Sequence, residues 1–194
     1  GDTFEQTGSG ESYIDLMDLG LLIGSGGVLS HAPRRAQSAM MMLDAFQPEG
    51  LTMLAVDSIF MMPQLGILST VHPKASMQVF DRDCLIKLGS SISAAGPSGT
   101  AKPGDPCLKV QLEIDGNEVV EEVPYGKLKL IPLAEGKTAK AVISPSRQFD
   151  VGKGHGHTLE TTVNGGVVGV IIDCRGRPFT PPEDPATRNA KLVE

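Results

Sequence analysis

A glycine-rich turn, Gly24-Ser25-Gly26-Gly27, separates a short apolar segment from a helical pattern. Such a turn lets the backbone approach a ligand closely. It also directs unpaired N–H groups, with the positive end of the helix dipole, at an anion or a ribose. It is not a dinucleotide-binding fingerprint, because Leu29 occupies the position of the third glycine, and no Gly-Lys-Ser/Thr follows as in a phosphate loop. Two interpretations stay open: contact with a nucleotide, or a tight strand-to-helix connection without a ligand.

Three side chains that carry or can acquire positive charge follow the turn: His31, Arg34 and Arg35. Cations in the first turn of a helix oppose the helix dipole by about 0.3–1 kcal/mol each. A sequence selected only for helix stability would carry Asp or Glu there. We therefore predict that these side chains meet an anion, with phosphate as the first candidate. The alternative is that they form ion pairs with nearby carboxylates or extend into solvent.

Asp57 ends an apolar segment that is typical of a buried strand. Open α/β sheets bind their ligands at the carboxyl ends of such strands. Asp57 is therefore a possible site residue that would bind a ribose or a metal-bound water. The favoured alternative is that its carboxylate caps the following helix through the amides of Ser58 and Ile59.

Other patterns with chemical potential are weaker. His155 and His157 could share a cation on one strand face, but no third ligand lies near them in the sequence, and a polar loop is favoured. We predict no metal site. No serine or cysteine nucleophile lies in a characteristic turn such as GxSxG, so we predict no catalytic residue in this chain.

The elements that would position these residues form an α/β unit over residues 1–95. We predict strands at 20–23 and 51–57 with a helix at 33–46 between them, in which Pro33 takes the first helical position. A strand–helix–strand order favours a parallel pair of strands. A short helix at 73–80 and a strand at 84–88 follow.

The second half contains only strand patterns. We predict a linker at 96–105, within a segment rich in small residues, and a small β-domain at 106–194 that forms a barrel or a sandwich. Asp115-Gly116-Asn117 marks a hairpin turn, because Asp-Gly favours a tight reversal. The remaining predicted elements are strands at 127–133, 137–143, 159–163 and 167–173 and a terminal helix at 185–193.

Composition excludes several classes of partner. The net charge of −6 and the pI of about 5.2 argue against nucleic-acid binding, which needs a basic face. The apolar stretches are shorter than the roughly 20 residues of a membrane span, so no membrane association is predicted. The three cysteines are widely spaced and odd in number, which favours reduced, buried thiols and a cytoplasmic location.

Five segments resemble the MutL/GlmL family, whose members accompany glutamate mutase and related aminomutases. The most specific is LIGSGGVLSHAPRRA at 22–36, and the others are LAVDSIFMMP at 54–63, FDRDCL at 80–85, GGVVG at 165–169 and DCRGRP at 173–178. The resemblance implies an actin/Hsp70/sugar-kinase type of ATPase, and residues 1–95 would then be an actin-like half-lobe.

By that resemblance, the turn from Gly24 to Gly27 would hold the adenosine of Mg-ATP, with His31, Arg34 and Arg35 beside it. The sequence lacks the N-terminal phosphate motif of such ATPases, so it corresponds to a C-terminal portion. We expect it to be inactive alone and to hydrolyse ATP only when combined with the missing N-terminal half. The implied role is an accessory or reactivating factor for a cobalamin-dependent mutase, whose subunits would be its partners.

Two other functions stay open. The chain could be a non-catalytic protein-interaction module whose glycine turn is purely structural. It could also be a fragment of a hydantoinase-like enzyme, a class that shares the same ATPase superfamily. Binding of ATP to the full-length protein separates the first function from the interaction module, and turnover of a cyclic amide would be needed to support the enzyme.

Overall fold

The computed structural model describes residues 15–59 and 61–179, so the helix predicted at 185–193 lies outside the described residues. A 3-10 turn, Leu16–Asp18, precedes the first strand, and a π turn, Phe80–Cys84, precedes the third. The other elements are β1 (Leu21–Gly24), α1 (Gly27–Ser30), α2 (Arg35–Phe46), β2 (Gly50–Asp57), α3 (Met62–Ser69), α4 (Pro73–Val79), β3 (Leu85–Ser93), β4 (Pro106–Ile114), β5 (Asn117–Pro124), β6 (Leu128–Ile131), β7 (Thr138–Pro145), β8 (Leu159–Asn164) and β9 (Val170–Asp173).

The larger sheet has five strands in the order β1-β2-β3-β9-β6. Strands β1 and β2 are parallel, as the strand–helix–strand pattern predicts, whereas β3 runs antiparallel to β2. Strand β9 is parallel to β3, and β6 pairs antiparallel with β9. The carboxyl ends of β1 and β2 therefore lie at one end of the sheet, and those of β3 and β9 lie at the opposite end.

Helix α2 packs on one face of this sheet. Its buried residues Ala39, Met42 and Leu43 form an apolar cluster with side chains of the sheet such as Leu54 and Ile171. These three residues occupy positions i, i+3 and i+4, so they share one face of the helix. This stripe holds the helix on the sheet and fixes the segment that precedes it.

The other face of the five-stranded sheet packs against a four-stranded antiparallel sheet, β5-β4-β7-β8. The apolar cluster between the sheets contains Ile92 and Ile172 from the larger sheet and Val110 and Ile143 from the smaller one. Strand β9 serves both clusters because successive side chains point to opposite faces, which places Ile171 on the helix side. The described chain thus forms three layers: helix, five-stranded sheet and four-stranded sheet.

The predicted helix at 33–46 begins later than expected. Pro33 is not its first residue, because Arg34 is extended (φ −129°, ψ 133°) and α2 starts at Arg35. The backbone N–H of Arg34 donates to the Gln37 side chain at 3.2 Å, which caps this start. A separate short helix, α1, begins at the last glycine of the turn and covers Gly27–Ser30.

The boundary predicted at 96–105 does not separate the two sheets. Strands β6 and β9, which the sequence assigns to the β-domain, complete the five-stranded sheet instead. The proposed linker is also packed, since Ala95 and Gly96 form β-bridges with Asp150 and Arg177. The prediction of two successive units was wrong at this point because sheet membership depends on long-range pairing that local composition does not encode.

Strand β3 is longer than the predicted strand at 84–88, and it contains a β-bulge. Leu54 pairs with Gly89 and Ala55 pairs with Lys87, so Leu88 is the extra residue. The bulge reverses the alternation of side chains: Leu88 lies in the helix-side cluster, whereas Ile92, four residues later, lies between the sheets. Strand β3 can therefore contribute side chains to both apolar clusters.

The hairpin prediction is confirmed. Strands β4 and β5 pair antiparallel, with Ile114 opposite Asn117. Asp115 (φ 49°) and Gly116 (φ 80°) both have positive φ, the conformation that a two-residue hairpin turn requires.

Candidate functional site

An open groove of about 510 Å³ lies at the carboxyl ends of β1 and β2. It is lined by backbone and side chains from two chain segments that the parallel pair brings together. The lining residues are Gly26, Gly27, Ser30, His31, Ser58 and Ile59. Among residues 15–59 and 61–179, the corner after β1 is therefore accessible and not covered by other elements.

The residues of the glycine turn have different surroundings. A Cβ on Gly24 would meet Leu29 at 2.7 Å and Met42 at 3.0 Å, so this glycine allows α1 and α2 to pack closely. Gly26 has φ 110° and ψ 158°, a conformation that only glycine adopts readily. A Cβ on Gly27 would have no neighbour within 4 Å. Only the last two glycines line the groove.

Ser25 lies between Gly24 and Gly26. Its Oγ atom is buried, and it has no hydrogen-bond partner in the described part of the chain. Buried hydroxyls without partners are uncommon in folded proteins.

Hydrogen bonds from three side chains fix α1 beside the groove. The Ser30 hydroxyl donates to the backbone oxygen of Asp57 at 2.6 Å, and this bond joins the two walls. Ser38 donates to the backbone oxygen of Leu29 at 2.8 Å, and Arg35 donates through Nη1 to the backbone oxygen of Ser30 at 2.8 Å. Arg35 therefore positions α1 and does not line the groove.

The other predicted cations are exposed. His31 lines the groove, whereas Arg34 does not. Within residues 15–59 and 61–179, no ion pair includes His31, Arg34 or Arg35. The alternative in which these cations pair with carboxylates therefore has no support in this part of the chain.

Asp57 is fully buried at the end of β2 and does not line the groove. Its Oδ1 atom accepts from the amides of Ile59 and Met61, each at 3.4 Å, which is long for a hydrogen bond. The Ser58 amide, which the capping interpretation assigned to Asp57, donates instead to the backbone oxygen of Cys84 at 2.9 Å. Burial, with the charge of Asp57, raises the pKa of the Cys84 thiol.

Sequence reasoning missed Ser30 as a groove residue and named Ser58 and Ile59 only as capping amides. Ser30 contacts a residue 27 positions away, and no local spacing signals such a pair. Ser58 and Ile59 directly follow Asp57, the last residue of a predicted parallel strand. Their position after the end of that strand could have identified them as groove residues.

The histidine pair lies away from the groove. His155 and His157 are exposed in a glycine-rich loop between β7 and β8. The loop is organised by Asp150, whose Oδ1 atom accepts from the amides of residues 152–154. Burial alone would raise the pKa of Asp150, but these hydrogen bonds hold the pKa below its usual value. Among the described residues, no group of three His, Cys, Asp or Glu side chains could hold a metal ion.

A buried ionic network lies at the opposite end of the sheet, after β9. Asp173 accepts from Arg175 and Arg177, with both ion pairs at 2.8 Å, and Arg175 also donates to Asp44 at 2.7 Å. Burial alone would raise the pKa of Asp173, but the two guanidinium groups hold the pKa below its usual value. The sequence marked this DCRGRP segment only as a family resemblance.

No helix in the described ranges is long and apolar enough to cross a bilayer. Neither a curated protein nor a solved structure matches the chain. The model of one protein family, MutL protein, matches residues 5–84. This range contains the glycine turn, α1, α2 and β2, and hence every residue that lines the groove. Over residues 5–84, the chain is therefore similar to the MutL protein family.

Proposed function

We propose that the chain is the C-terminal part of a nucleotide-binding accessory or reactivating factor for a cobalamin-dependent mutase, of the glutamate mutase or aminomutase type, acting in the cytoplasm. The groove would hold the adenosine of Mg-ATP. The observation that carries the proposal is the open groove at the ends of the parallel strands β1 and β2, with Gly26 and Gly27 exposing backbone. The match to the MutL protein family over residues 5–84 supports the same assignment.

The chemistry of the groove fits a nucleoside better than a triphosphate. Its walls offer glycine backbone, the imidazole of His31, the apolar side chain of Ile59 and the hydroxyls of Ser30 and Ser58, which donate to backbone oxygens and remain free to accept. A ribose can donate to hydroxyl oxygens, and a base can pack against apolar or aromatic side chains. No arginine of the described residues lines the groove, so we assign the contact with phosphate to the exposed side chain of Arg34 and to the missing N-terminal half.

This division implies how the nucleotide would act. A ligand held between two halves favours the closed arrangement by the difference between its affinities for the closed and open states. Closure would change the surface that the factor presents to mutase subunits. ATPase activity belongs to the combined halves, and the chain alone is expected to be inactive.

Calorimetry with Mg-ATP on the full-length protein tests the proposal. Binding that is weakened when groove residues are changed supports it. Absence of binding would leave the glycine turn as a structural connection and would favour an interaction module. Turnover of a cyclic amide would support a hydantoinase-like enzyme instead.

An exposed apolar surface favours protein interaction as a second candidate function. On α3, α4 and the loop between them, Ile67 is 75% exposed, Val71 is 69% exposed and Met77 is 71% exposed. Grouped apolar side chains in solvent are typical of protein–protein contact sites. We propose that this surface contacts a mutase subunit. Replacement of Ile67 and Met77 by Glu would then abolish co-purification with the mutase while leaving ATP binding intact.

A further inference from the structure

Cys107 and Cys174 are 67 positions apart in the sequence but belong to the same apolar cluster. Cys174 follows β9 of the five-stranded sheet. Its N–H donates to the backbone oxygen of Lys127 at 3.0 Å, and its own oxygen accepts from Gly126 at 2.8 Å. The segment after β5 thus holds Cys174.

Cys107 lies in β4 of the other sheet. The residues on either side of it, Pro106 and Leu108, pair with residues 123–124 at the end of β5. Because residues 126–127 hold Cys174, the two cysteines flank the same short stretch of chain. The two packed sheets meet at this point.

The two thiols are neighbours, since Cys107 has the largest effect on the Cys174 thiol and raises its pKa. Both belong to the apolar cluster between the sheets, with exposed fractions of 3% and 0%. The third cysteine, Cys84, is not a member of that cluster.

We propose that Cys107 and Cys174 are a disulfide-forming pair whose oxidation joins the two sheets covalently. The oxidant is a small-molecule disulfide such as oxidised glutathione. One cysteine loses a proton, and its thiolate attacks a sulfur of the oxidant. This step forms a mixed disulfide and releases one glutathione thiolate, which takes up a proton.

The second cysteine then loses its proton, and its thiolate attacks the protein sulfur of the mixed disulfide. This step forms the Cys107–Cys174 bond and releases the second glutathione, which also takes up a proton. Two protein thiols and one oxidised glutathione give one protein disulfide and two reduced glutathiones. The two electrons pass from the cysteine sulfurs to glutathione.

The location of the pair determines when the reaction occurs. The hydrogen bond with Cys107 and burial both raise the pKa of Cys174, which keeps the thiol protonated in the closed structure. The thiolate is the reacting form, and glutathione cannot reach a fully buried sulfur. Oxidation therefore requires separation of the sheets and is fastest during folding. Once closed, the same burial shields the bond from reductants.

The test uses the full chain, refolded from urea in a buffer with oxidised and reduced glutathione. Mass spectrometry of a non-reduced digest is expected to show the peptides of Cys107 and Cys174 linked, with the loss of two hydrogens. The linked protein is expected to unfold at a temperature on the order of 10 °C higher than the reduced protein.

Cys84→Ala is the matched control and should leave both results unchanged, whereas Cys107→Ala should remove both. The linkage map of the unsubstituted chain decides the proposal even if a variant does not fold. Persistent glutathione adducts, a link to Cys84, a link between molecules or unlinked peptides after oxidative refolding would each overturn it.

Discussion

Gly27→Ala adds one methyl group to the floor of the groove and tests what the groove is for. Gly27 is the first residue of α1, its φ is outside the positive range, and a Cβ there would have no neighbour within 4 Å. Gly66, within α3, has the same φ class and the same free space, but it does not line the groove. The two substitutions therefore differ mainly in whether the methyl group faces the groove.

The expected magnitudes follow from this comparison. Replacement of a helical glycine by alanine stabilises a protein by about 0.4–1 kcal/mol, because it reduces the freedom of the unfolded chain. For a chain of this size that gain raises the Tm by about 1–4 °C. A methyl group between Gly27 and a closely held nucleoside costs binding about 1–3 kcal/mol, or roughly 10- to 200-fold in Kd.

The assay is calorimetry with Mg-ATP on the full-length protein carrying either substitution, together with thermal unfolding of each variant. We expect similar small gains in Tm for Gly27→Ala and Gly66→Ala, and a weaker Kd for Gly27→Ala alone. Equal affinities in all three proteins would refute the assignment of the nucleotide to this groove. A lower Tm for Gly27→Ala than for Gly66→Ala would show that the space at Gly27 is not free.

The remaining predictions concern charges and chain boundaries. Arg34→Ala should leave Tm unchanged but should weaken ATP binding about tenfold, because the exposed guanidinium is expected to contact phosphate. Arg35→Ala should lower the free energy of unfolding in urea titration by about 1 kcal/mol, because the hydrogen bond to the backbone oxygen of Ser30 is lost. Asp173→Asn should destabilise the protein by about 3–5 kcal/mol, since Arg177 would be left buried without its carboxylate partner and Arg175 would keep only Asp44. The pKa of Asp173 is depressed in the folded protein, so its ionised carboxylate stabilises the fold at neutral pH. This stabilisation is lost as the pH falls below about 4 through the folded pKa. Denaturant titrations of the variant and the parent should therefore give converging free energies of unfolding at low pH. A fragment ending at residue 105 should fail to give a cooperative unfolding transition, because it lacks β6 and β9 of the larger sheet.

The sequence predicts elements well where local periodicity decides the structure. The helical stripe of α2, the apolar segments of β1 and β2 and the Asp115-Gly116 turn each appear within a few residues of their predicted bounds. In each case the signal and the structure it specifies lie in the same short segment. The parallel pairing of β1 and β2 follows from the same local order.

The sequence does not predict elements that are stabilised by contacts with residues far along the chain. Residues 89–93 resemble the start of a linker because all but Ile92 are small, yet they form the end of β3. A Cβ on Gly89 would lie 1.9 Å from the backbone oxygen of Gly169, so the small residue permits two backbones to touch. Composition cannot distinguish this requirement from flexibility, and the boundary at 96–105 was therefore misplaced.

The candidate site was predicted in part for the same reason. The glycine turn and Asp57 were identified because strand ends are local features. Ser30 was not identified, because its partner, the backbone oxygen of Asp57, is brought close only by the parallel pairing of β1 and β2. The different roles of Arg34 and Arg35 could not be predicted either, since the two residues are adjacent and of the same type. Only the structure shows that Arg35 donates to the backbone oxygen of Ser30, whereas Arg34 is exposed.

The two glycine runs that resemble the family differ in what surrounds them. In the GGVVG segment, a Cβ on Gly165, Gly166 or Gly169 would lie within 2.1–2.4 Å of backbone atoms, so packing alone accounts for these glycines. Gly24 is explained by its close contact with helix side chains, and Gly26 by its positive φ. Gly27 has neither reason within the described chain: its φ is ordinary and the space beyond it is open. Gly66 shares these features but lies away from the groove, so the position of Gly27 in the groove wall is what supports a ligand against that surface.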